Sequence, residues 1–144
     1  MNKLDPHTLF SIFEKGDEDV YKEHGQEGVL QNPFVLMGMV LRGLDNYKLM
    51  SIIYMKNYPK EFKAVEPSVK YKFYNRLYSY LKRINIDTIE NAYTIGDSFG
   101  SADIAGALDE LILFYQNLEE YEKCAKILKY KDLLLSEFIK NLIK

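Results

Sequence analysis

The stretch NPFVLMGMVLRG, residues 32–43, decides the fold class of this 144-residue chain. Asn32 is a favourable helix N-cap and Pro33 suits a first helical turn, so a helix is predicted to begin here. The residues after Pro33 are apolar or glycine on every side of such a helix, which is typical of a helix buried inside a domain. Gly43 is predicted to end it. We therefore expect a central helix over 33–42, with the other helices packed around it.

Helix signals also dominate the residues that follow. Asp45 is a candidate N-cap for a second helix that ends near Lys56. The segment NYPKEFKAVEP, residues 57–67, contains two prolines and is predicted to be a connector. Pro67 is then expected to open a further helix, because proline suits a first turn and breaks a helix interior.

The C-terminal third is predicted to be two helices joined by a tight turn. Ser101 is a candidate cap for the helix ADIAGALDELILFYQNL, and a turn at Glu119–Glu120 leads into a helix that runs to the end. These two helices are expected to pack as an αα-hairpin. The last helix carries an apolar stripe that is predicted to face the core. The stripe consists of Tyr121, Ala125, Leu128, Leu135 and Leu142.

Two further helices are predicted outside these segments, one from Asp5-Pro6 and a short one capped by Asp87. The segment IGDSFGS, residues 95–101, is predicted to be a loop. No segment alternates apolar and polar residues as a half-buried strand does, and no linker divides the chain. The predicted fold is all-α, a single domain over 1–144, built as a bundle of five to seven helices that ends in the αα-hairpin.

Composition places the chain among soluble globular proteins. Hydrophobic residues make up 47% and charged residues 28%, which is sufficient for a core. The net charge of −2 excludes polyanion binding by the molecule as a whole, so any nucleic-acid contact needs a local patch. The N-terminal MNKLDPHTLF lacks a signal-peptide core, and the longest apolar run, 33–41, is too short to span a bilayer. We expect no membrane contact and a cytoplasmic location, which is the host cytoplasm if a phage encodes the chain.

Candidates for catalysis are few. The single cysteine, Cys124, cannot form an internal disulfide, which fits a reducing compartment, and no neighbour activates it. The serine of GDSFGS, residues 96–101, is followed by no histidine, although the loop precedes a helix N-terminus that could bind an anion. The acidic segment DEDVYKEH, residues 17–24, lacks HExxH and EF-hand spacing. We expect no cofactor, no metal and no enzymatic activity, with a carboxylate–metal site in that segment as an alternative.

The stretch VKYKFYNRLYSYLKR, residues 69–83, is the main functional signal, with five basic residues, five aromatic rings and no acid. On a helix, one broad apolar face is formed by Val69, Phe73, Leu77, Tyr80, Leu81 and Ile84. A separate basic stripe is formed by Lys72, Arg76 and Arg83. Tyr71, Tyr78 and Lys82 lie on the opposite shoulder, where the two rings are expected to stay partly open.

A basic stripe beside aromatic rings suits nucleic acid, because Lys and Arg neutralise phosphates and exposed rings stack on bases. It suits an acidic protein partner equally. The plain interpretation is a bundle helix with a solvated basic face. The candidate residues for nucleic-acid or acidic-partner binding are Lys70, Lys72, Arg76, Lys82, Arg83, Tyr71 and Tyr78.

Three segments resemble the small, non-ATPase clamp-loader subunit of T-even-type phages and their relatives. NPFVLMGMVLRGLDNYKL (32–49) is similar to that family's NPF-led helix and the short turn after it. YKFYNRLYSYLKR (71–83) stands where the family has a tyrosine-bearing helix, and DTIENAYTIGDSFGSADIAGALDEL (87–111) is similar to the stretch that follows. The family's basic–aromatic run ends in tryptophan, whereas this chain contains none. The resemblance implies a helical protein without catalysis of its own, which helps an AAA+ ATPase load a sliding clamp at primed DNA.

A second resemblance is local. ALDELILFYQNLEEYEKCAKILKYKDLL (107–134) resembles the hairpin of UvrB/UvrC-type interaction motifs, with NLEEYEKCAKI parallel to their core. Such hairpins usually bind another protein. The alternative is a plain antiparallel pair with Tyr121 and Ala125 in its seam.

The function that these observations favour is that of a non-enzymatic helical adaptor that docks on a larger machine. Its most specific form is a phage-type DNA replication accessory that docks on an AAA+ ATPase and its sliding clamp, with a possible DNA contact through the basic patch. The alternative is a regulatory or inhibitory protein-binding module, such as an immunity protein, an antitoxin or a phage anti-host factor.

Overall fold

The computed structural model describes residues 32–85, 95 and 98–143, with side chains described as far as residue 135. Over these residues the chain forms four α-helices and no strand, which confirms the all-α class. The predicted count of five to seven helices is not confirmed, because the helices expected from Asp5-Pro6 and Asp87 lie outside the described residues. The four helices are α1 (Pro33–Asn57), α2 (Pro59–Arg83), α3 (Ser101–Asn117) and α4 (Tyr121–Ile143).

The start of α1 is confirmed, and its predicted end at Gly43 is wrong. The Asn32 side chain accepts a hydrogen bond from the Phe34 amide at 2.8 Å, as an N-cap does. The helix continues through Gly43, where a Cβ atom would lie only 2.6 Å from the Leu77 side chain. Glycine at this position therefore allows α2 to approach closely, and its cost to the helix is only about 1 kcal/mol.

The predicted connector over 57–67 is also wrong, because a single residue, Tyr58, separates α1 from α2. Pro59 occupies the first turn of α2, where a missing amide hydrogen costs nothing. Pro67 lies inside the helix and faces solvent. The buried side chains Phe62 and Val69 lie on either side of it in the sequence, so packing holds both halves of α2 against α1.

Helices α1 and α2 pack antiparallel and bury the predicted apolar stretch. Tyr54 stacks near Phe62 close to the joint, and Tyr47 stacks near Phe73 further along. The first half of α1 is central as expected, with Leu36, Met37, Met39 and Val40 buried. The predicted apolar face of α2 is confirmed, with Phe73 only partly buried at its edge.

Helices α3 and α4 form the predicted αα-hairpin. Glu119, with a left-handed φ of 59°, makes the turn, and the Glu120 amide donates to the Tyr115 carbonyl at 2.9 Å. The Cys124 thiol donates to the Ile112 carbonyl at 3.4 Å, which fixes the antiparallel pairing. Ser101 is the first residue of α3 rather than its cap, since Gly100, with φ of 84°, holds the cap position.

The predicted core stripe of α4 is wrong. Tyr121 is 62% exposed and Leu128 46% exposed, and Ala125 is also exposed. Leu135 is half-buried, and the Leu142 side chain lies outside the described part. A second stripe faces the core instead, formed by Ile127, Tyr130 and Leu134.

Apolar burial and one hydroxyl together favour this stripe. Ile127 and Leu134 are almost completely buried. The Tyr130 hydroxyl lies within hydrogen-bonding distance of the Lys82 and Ile84 carbonyl oxygens, at 3.1 and 3.0 Å, near the end of α2. None of the helices described is long and apolar enough to cross a membrane.

Candidate functional site

All seven residues predicted to bind nucleic acid or an acidic partner lie on α2, but they do not form one surface. Lys70 is half-buried against α3. The rings of Tyr71 and Tyr78 contact Lys123 of α4, and the Lys82 ammonium lies over the Tyr78 ring. Lys72 and Arg83 are exposed on the remaining side, with Arg76 half-buried between them. The candidate residues therefore lie on two sides of α2, one packed toward α3 and α4 and one facing outward.

Tyr78 does not stay partly open, so this part of the prediction is wrong. Its side chain is only 8% exposed, and its ring meets the Tyr115 ring edge-on at 5.6 Å. Burial is also the main cause that raises the pKa of its phenol. A ring in this position has no free face on which a base could stack. Tyr71, in contrast, is 40% exposed, as expected.

A lysine of α4 occupies the aromatic surface that was predicted to be available. The Lys123 ammonium lies 4.8 Å from the Tyr115 ring centre and 5.6 Å from those of Tyr71 and Tyr78. It also contacts the Glu120 carboxylate at 2.9 Å and donates to Asn75 Oδ1 at 3.0 Å. We call this group the Lys123 cluster. Its members are Lys123, Tyr71, Tyr78, Tyr115, Asn75 and Glu120.

The other members of the cluster are bonded to one another. The Tyr115 hydroxyl donates to Asn75 Oδ1 at 2.6 Å, and the Tyr71 hydroxyl reaches Glu120 Oε1 at 3.5 Å. The cluster thus joins α2, α3 and α4. Sequence reasoning did not find Lys123, because a lysine in EYEKCAK resembles any solvated helix charge until the register of the hairpin is known.

Two cations of the candidate site also lie over rings of the protein itself. The Lys70 ammonium is 5.4 Å from the Tyr74 ring centre and 5.6 Å from that of Phe114. The Lys82 ammonium is 5.0 Å from the Tyr78 ring centre. These contacts are within the usual range of cation–π attraction. They direct both side chains along the protein surface.

The part of the site most accessible to a polyanion is the outer stripe of α2. We call Lys72, Arg76 and Arg83 the basic stripe. The Arg83 guanidinium lies 5.8 Å from the Tyr80 ring centre, and the Arg76 carbonyl accepts a bond from Ser79. The stripe extends over three turns, roughly 16 Å along the axis.

A cleft separates α1 from α3, and Glu110 bridges it. The Glu110 carboxylate pairs with Lys48 of α1 and accepts a bond from the Tyr74 hydroxyl of α2 at 3.5 Å. Below this bridge a cavity of about 490 Å³ is walled by Ile52, Leu113 and other residues. Across the residues described, no three His, Cys, Asp or Glu side chains are grouped so as to hold a metal ion.

The remaining candidates for chemistry are accounted for in part. The Cys124 side chain packs between α3 and α4, and desolvation raises the pKa of its thiol, which opposes formation of a reactive thiolate. The segment 17–24, with the alternative metal ligands, lies outside the described residues. The predicted loop over 95–101 is wrong where the structure describes it, because Ile95, Ser98 and Phe99 are helical, Gly100 caps α3 and Ser101 begins it.

The surface of α4 carries an apolar group that the core does not use. Tyr121, Ala125 and Leu128 recur at helical spacing along its outer side, and Leu118 in the turn is also exposed. We call these residues the α4 apolar stripe. A stripe of this kind on a helix that already has a buried face is suited to contact with another protein.

Over the residues that the structure describes, the fold is all-helical and consists of two αα-hairpins. No protein-family model, curated protein or solved structure that was compared with the chain matches it.

Proposed function

We propose that this chain is a non-enzymatic helical adaptor that binds another protein through the α4 apolar stripe. The observation that carries the proposal is the exposure of Tyr121, Ala125 and Leu128 beside a complete buried face on the same helix. A helix that bears two apolar faces has one available for a partner. The resemblance of residues 107–134 to UvrB/UvrC-type hairpins supports the same surface, because Tyr121 and Ala125 belong to the resembling core.

In its most specific form, the partner is an AAA+ ATPase that loads a sliding clamp. This form rests on the resemblance of residues 32–49, 71–83 and 87–111 to the small clamp-loader subunit of T-even-type phages. The all-helical fold agrees with that family. The DNA contact is proposed for the basic stripe alone, because Tyr78 is buried and the Lys123 cluster occupies its ring.

The test of the docking surface is an affinity capture of the tagged chain from its native cells, with and without nuclease. A Tyr121→Ser/Leu128→Ser variant should lose an AAA+ ATPase and a clamp that the unchanged chain retains. The matched control is Glu122→Ser/Lys129→Ser, which changes two exposed residues of the same helix and should retain both. Capture that is equal for all three proteins would refute the α4 apolar stripe as the surface.

The basic stripe is tested separately with primed DNA. Replacing Lys72, Arg76 and Arg83 by Ala should weaken DNA binding. The slope of log affinity against log salt concentration should also become shallower, by about 0.9 for each phosphate that the variant no longer neutralises. Replacing Lys60, Lys63 and Lys129 by Ala removes the same charge from exposed positions elsewhere and is the control. Equal affinity and equal unfolding of both variants would show that the basic stripe is only a solvated face.

One observation favours the second candidate, a regulatory or inhibitory protein-binding module. Of the rings of residues 69–83 that could stack on bases, Tyr78 is buried, and Tyr71, although 40% exposed, already contacts Lys123 and Glu120. Such a protein binds one target with no dependence on DNA. In the same capture experiment, a single protein other than an AAA+ ATPase, unaffected by nuclease and absent with Tyr121→Ser/Leu128→Ser, would support this candidate.

A further inference from the structure

The second half of α1 presents a stripe of four exposed residues that the core does not need. Asp45, Leu49, Ile52 and Lys56 follow one another at spacings of four, three and four residues, so they lie within about 60° around the helix. Leu49 is 58% exposed and Ile52 is 67% exposed, although Tyr47 and Tyr54 on the opposite side are buried. We call these four residues the α1 stripe.

The apolar part of this stripe is larger than a single exposed side chain. Isolated surface aliphatic residues are common and need no explanation. Leu49 and Ile52 are one turn apart, however, and Ile53 beside them is also exposed. Leu113 of α3 lies with Ile52 along the same cleft and is exposed as well. Four exposed aliphatic side chains therefore lie on or beside this part of α1, and grouped exposed apolar residues mark interaction surfaces.

The order of charges along the α1 stripe makes it complementary to itself. An acid stands at one end, a base at the other, and two aliphatic residues between them. Asp45 and Lys56 lie equally far from the midpoint of the stripe, and so do Leu49 and Ile52. When two copies align antiparallel about that midpoint, Leu49 of one copy meets Ile52 of the other, and Asp45 meets Lys56. A parallel alignment would instead place like charges opposite each other.

We propose that a second copy of this chain docks antiparallel on the α1 stripe and forms a two-fold symmetric dimer. Two Leu49–Ile52 contacts lie at the centre of the interface, and an Asp45–Lys56 pair closes each end. Symmetric interfaces of this type are the most frequent in soluble homo-oligomers. The stripe is only about 16 Å long, so the interface is small and the association is weak and reversible. This surface is distinct from the α4 apolar stripe and does not depend on the proposed function.

The first measurement is the molar mass of the full chain by sedimentation equilibrium over a wide concentration range. The apparent mass should rise from 16.9 kDa toward twice that value at high concentration. Ile52→Asp should remain monomeric throughout, while Lys60→Asp, at an exposed position of α2, should behave as the unchanged chain. Circular dichroism melting of each variant shows that its fold is kept. An unchanged chain that is monomeric at every concentration overturns the proposal.

Charge reversal then separates a second copy from any other occupant. Asp45→Lys and Lys56→Asp each place like charges at both ends of the dimer, so each variant should dimerise about tenfold more weakly. Mixing the two variants in equal amounts should restore dimerisation, because opposite charges then meet at both ends. If the mixture dimerises no better than its components, the antiparallel pairing is wrong. If Ile52→Asp instead removes a different protein captured from cells while the pure chain stays monomeric, that protein occupies the stripe and the dimer is excluded.

Discussion

Lys123 stands among three tyrosine rings, one carboxylate and one amide oxygen, and it joins α4 to α2. An ammonium that is partly desolvated over an aromatic ring gains up to about 2 kcal/mol. The Tyr115 hydroxyl donates to the same Asn75 oxygen as the Lys123 ammonium, so Asn75 holds both side chains in place. A side chain that sequence alone would assign to the surface is therefore part of the tertiary structure.

Lys123→Met should lower the free energy of unfolding by about 1–2 kcal/mol, because it keeps the aliphatic stem and removes the charge that the rings and Glu120 contact. Urea denaturation followed by circular dichroism measures the change. Lys129→Met, on an exposed position of the same helix, should change stability by less than about 0.5 kcal/mol. Equal effects of the two substitutions would mean that the cluster contributes nothing to stability.

Met37 gives a residue-level test of where the core lies. Its side chain is fully buried in α1, and an aspartate there would bring a charge into the apolar interior. We expect Met37→Asp to cost about 3–5 kcal/mol and to unfold much of the protein at ambient temperature. Met55→Asp is the matched control, because Met55 is an exposed methionine of the same helix. A melting temperature of Met37→Asp close to that of the control would contradict the assigned core.

At the scale of the element, the type of each helix followed from the sequence, and several boundaries did not. The local pair Asn32-Pro33 starts α1 as predicted, since a cap needs only its own neighbours. Gly43 was predicted to end a helix and Pro67 to begin one, but tertiary packing overrides both signals, because buried residues on both sides of each hold one continuous helix together. The inward face of α4 was not predicted correctly, since its two apolar stripes have the same period and only tertiary contacts, among them the burial of Ile127 and Leu134, distinguish them.

The candidate site was predictable to a similar extent. The basic stripe follows from helix geometry, and α2 bears it on one side as expected. The burial of Tyr78 could not be predicted from α2 alone. It depends on contacts with residues far along the chain, such as Lys123, which is 48 residues from its hydrogen-bond partner Asn75 on α2. Periodicity gives the direction of a side chain on its own helix, and it does not show which distant side chain will meet it.

Two glycines in helix interiors should respond oppositely to the same substitution. Gly106→Ala in α3 should stabilise the protein by about 0.5–1 kcal/mol, because a Cβ there meets nothing and alanine favours the helix. Gly43→Ala should destabilise it by about 1–2 kcal/mol, because the new methyl group would overlap the buried Leu77 side chain. Thermal and urea unfolding of both variants measure the difference. Stabilisation by both substitutions would show that α1 and α2 do not approach closely at Gly43.

In the part of the molecule that the structure describes, three buried tyrosines donate their hydroxyl hydrogen bonds to side-chain oxygens. Tyr47 donates to Glu66 at 3.2 Å, Tyr74 to Glu110 at 3.5 Å and Tyr115 to Asn75 at 2.6 Å. Burial is the main cause that raises the pKa of all three phenols above the ordinary value, and nearby carboxylates raise it further. These phenols therefore stay protonated in the folded protein after free tyrosine has ionised.

The difference in phenol pKa between the folded and the unfolded chain predicts that the protein loses stability at alkaline pH. Below the unfolded-state pKa of about 10, these phenols are protonated in both states and favour neither. As the pH rises above that value, the unfolded chain loses protons that the folded chain retains, so the free energy of unfolding falls. Tyrosinate absorbance should show Tyr47, Tyr74 and Tyr115 ionising only when the protein unfolds.

A single variant tests this assignment. Tyr115→Phe should remove one of the late-titrating phenols. Titration of all phenols in one step at the ordinary pKa, with the folded signal intact, would contradict the buried positions.

The single-residue joint at Tyr58 bears on how quickly the chain reaches its native state. Closing a loop of one residue between α1 and α2, or of three between α3 and α4, costs little chain entropy. Each hairpin can thus form from neighbours in the sequence, and their docking through the Lys123 cluster and Tyr130 comes last. Helical proteins dominated by such local contacts refold within microseconds to milliseconds. In stopped-flow measurements, Lys123→Met should therefore increase the unfolding rate constant by a larger factor than it decreases the folding rate constant. A larger effect on the folding rate constant would mean that the hairpins dock before each is formed.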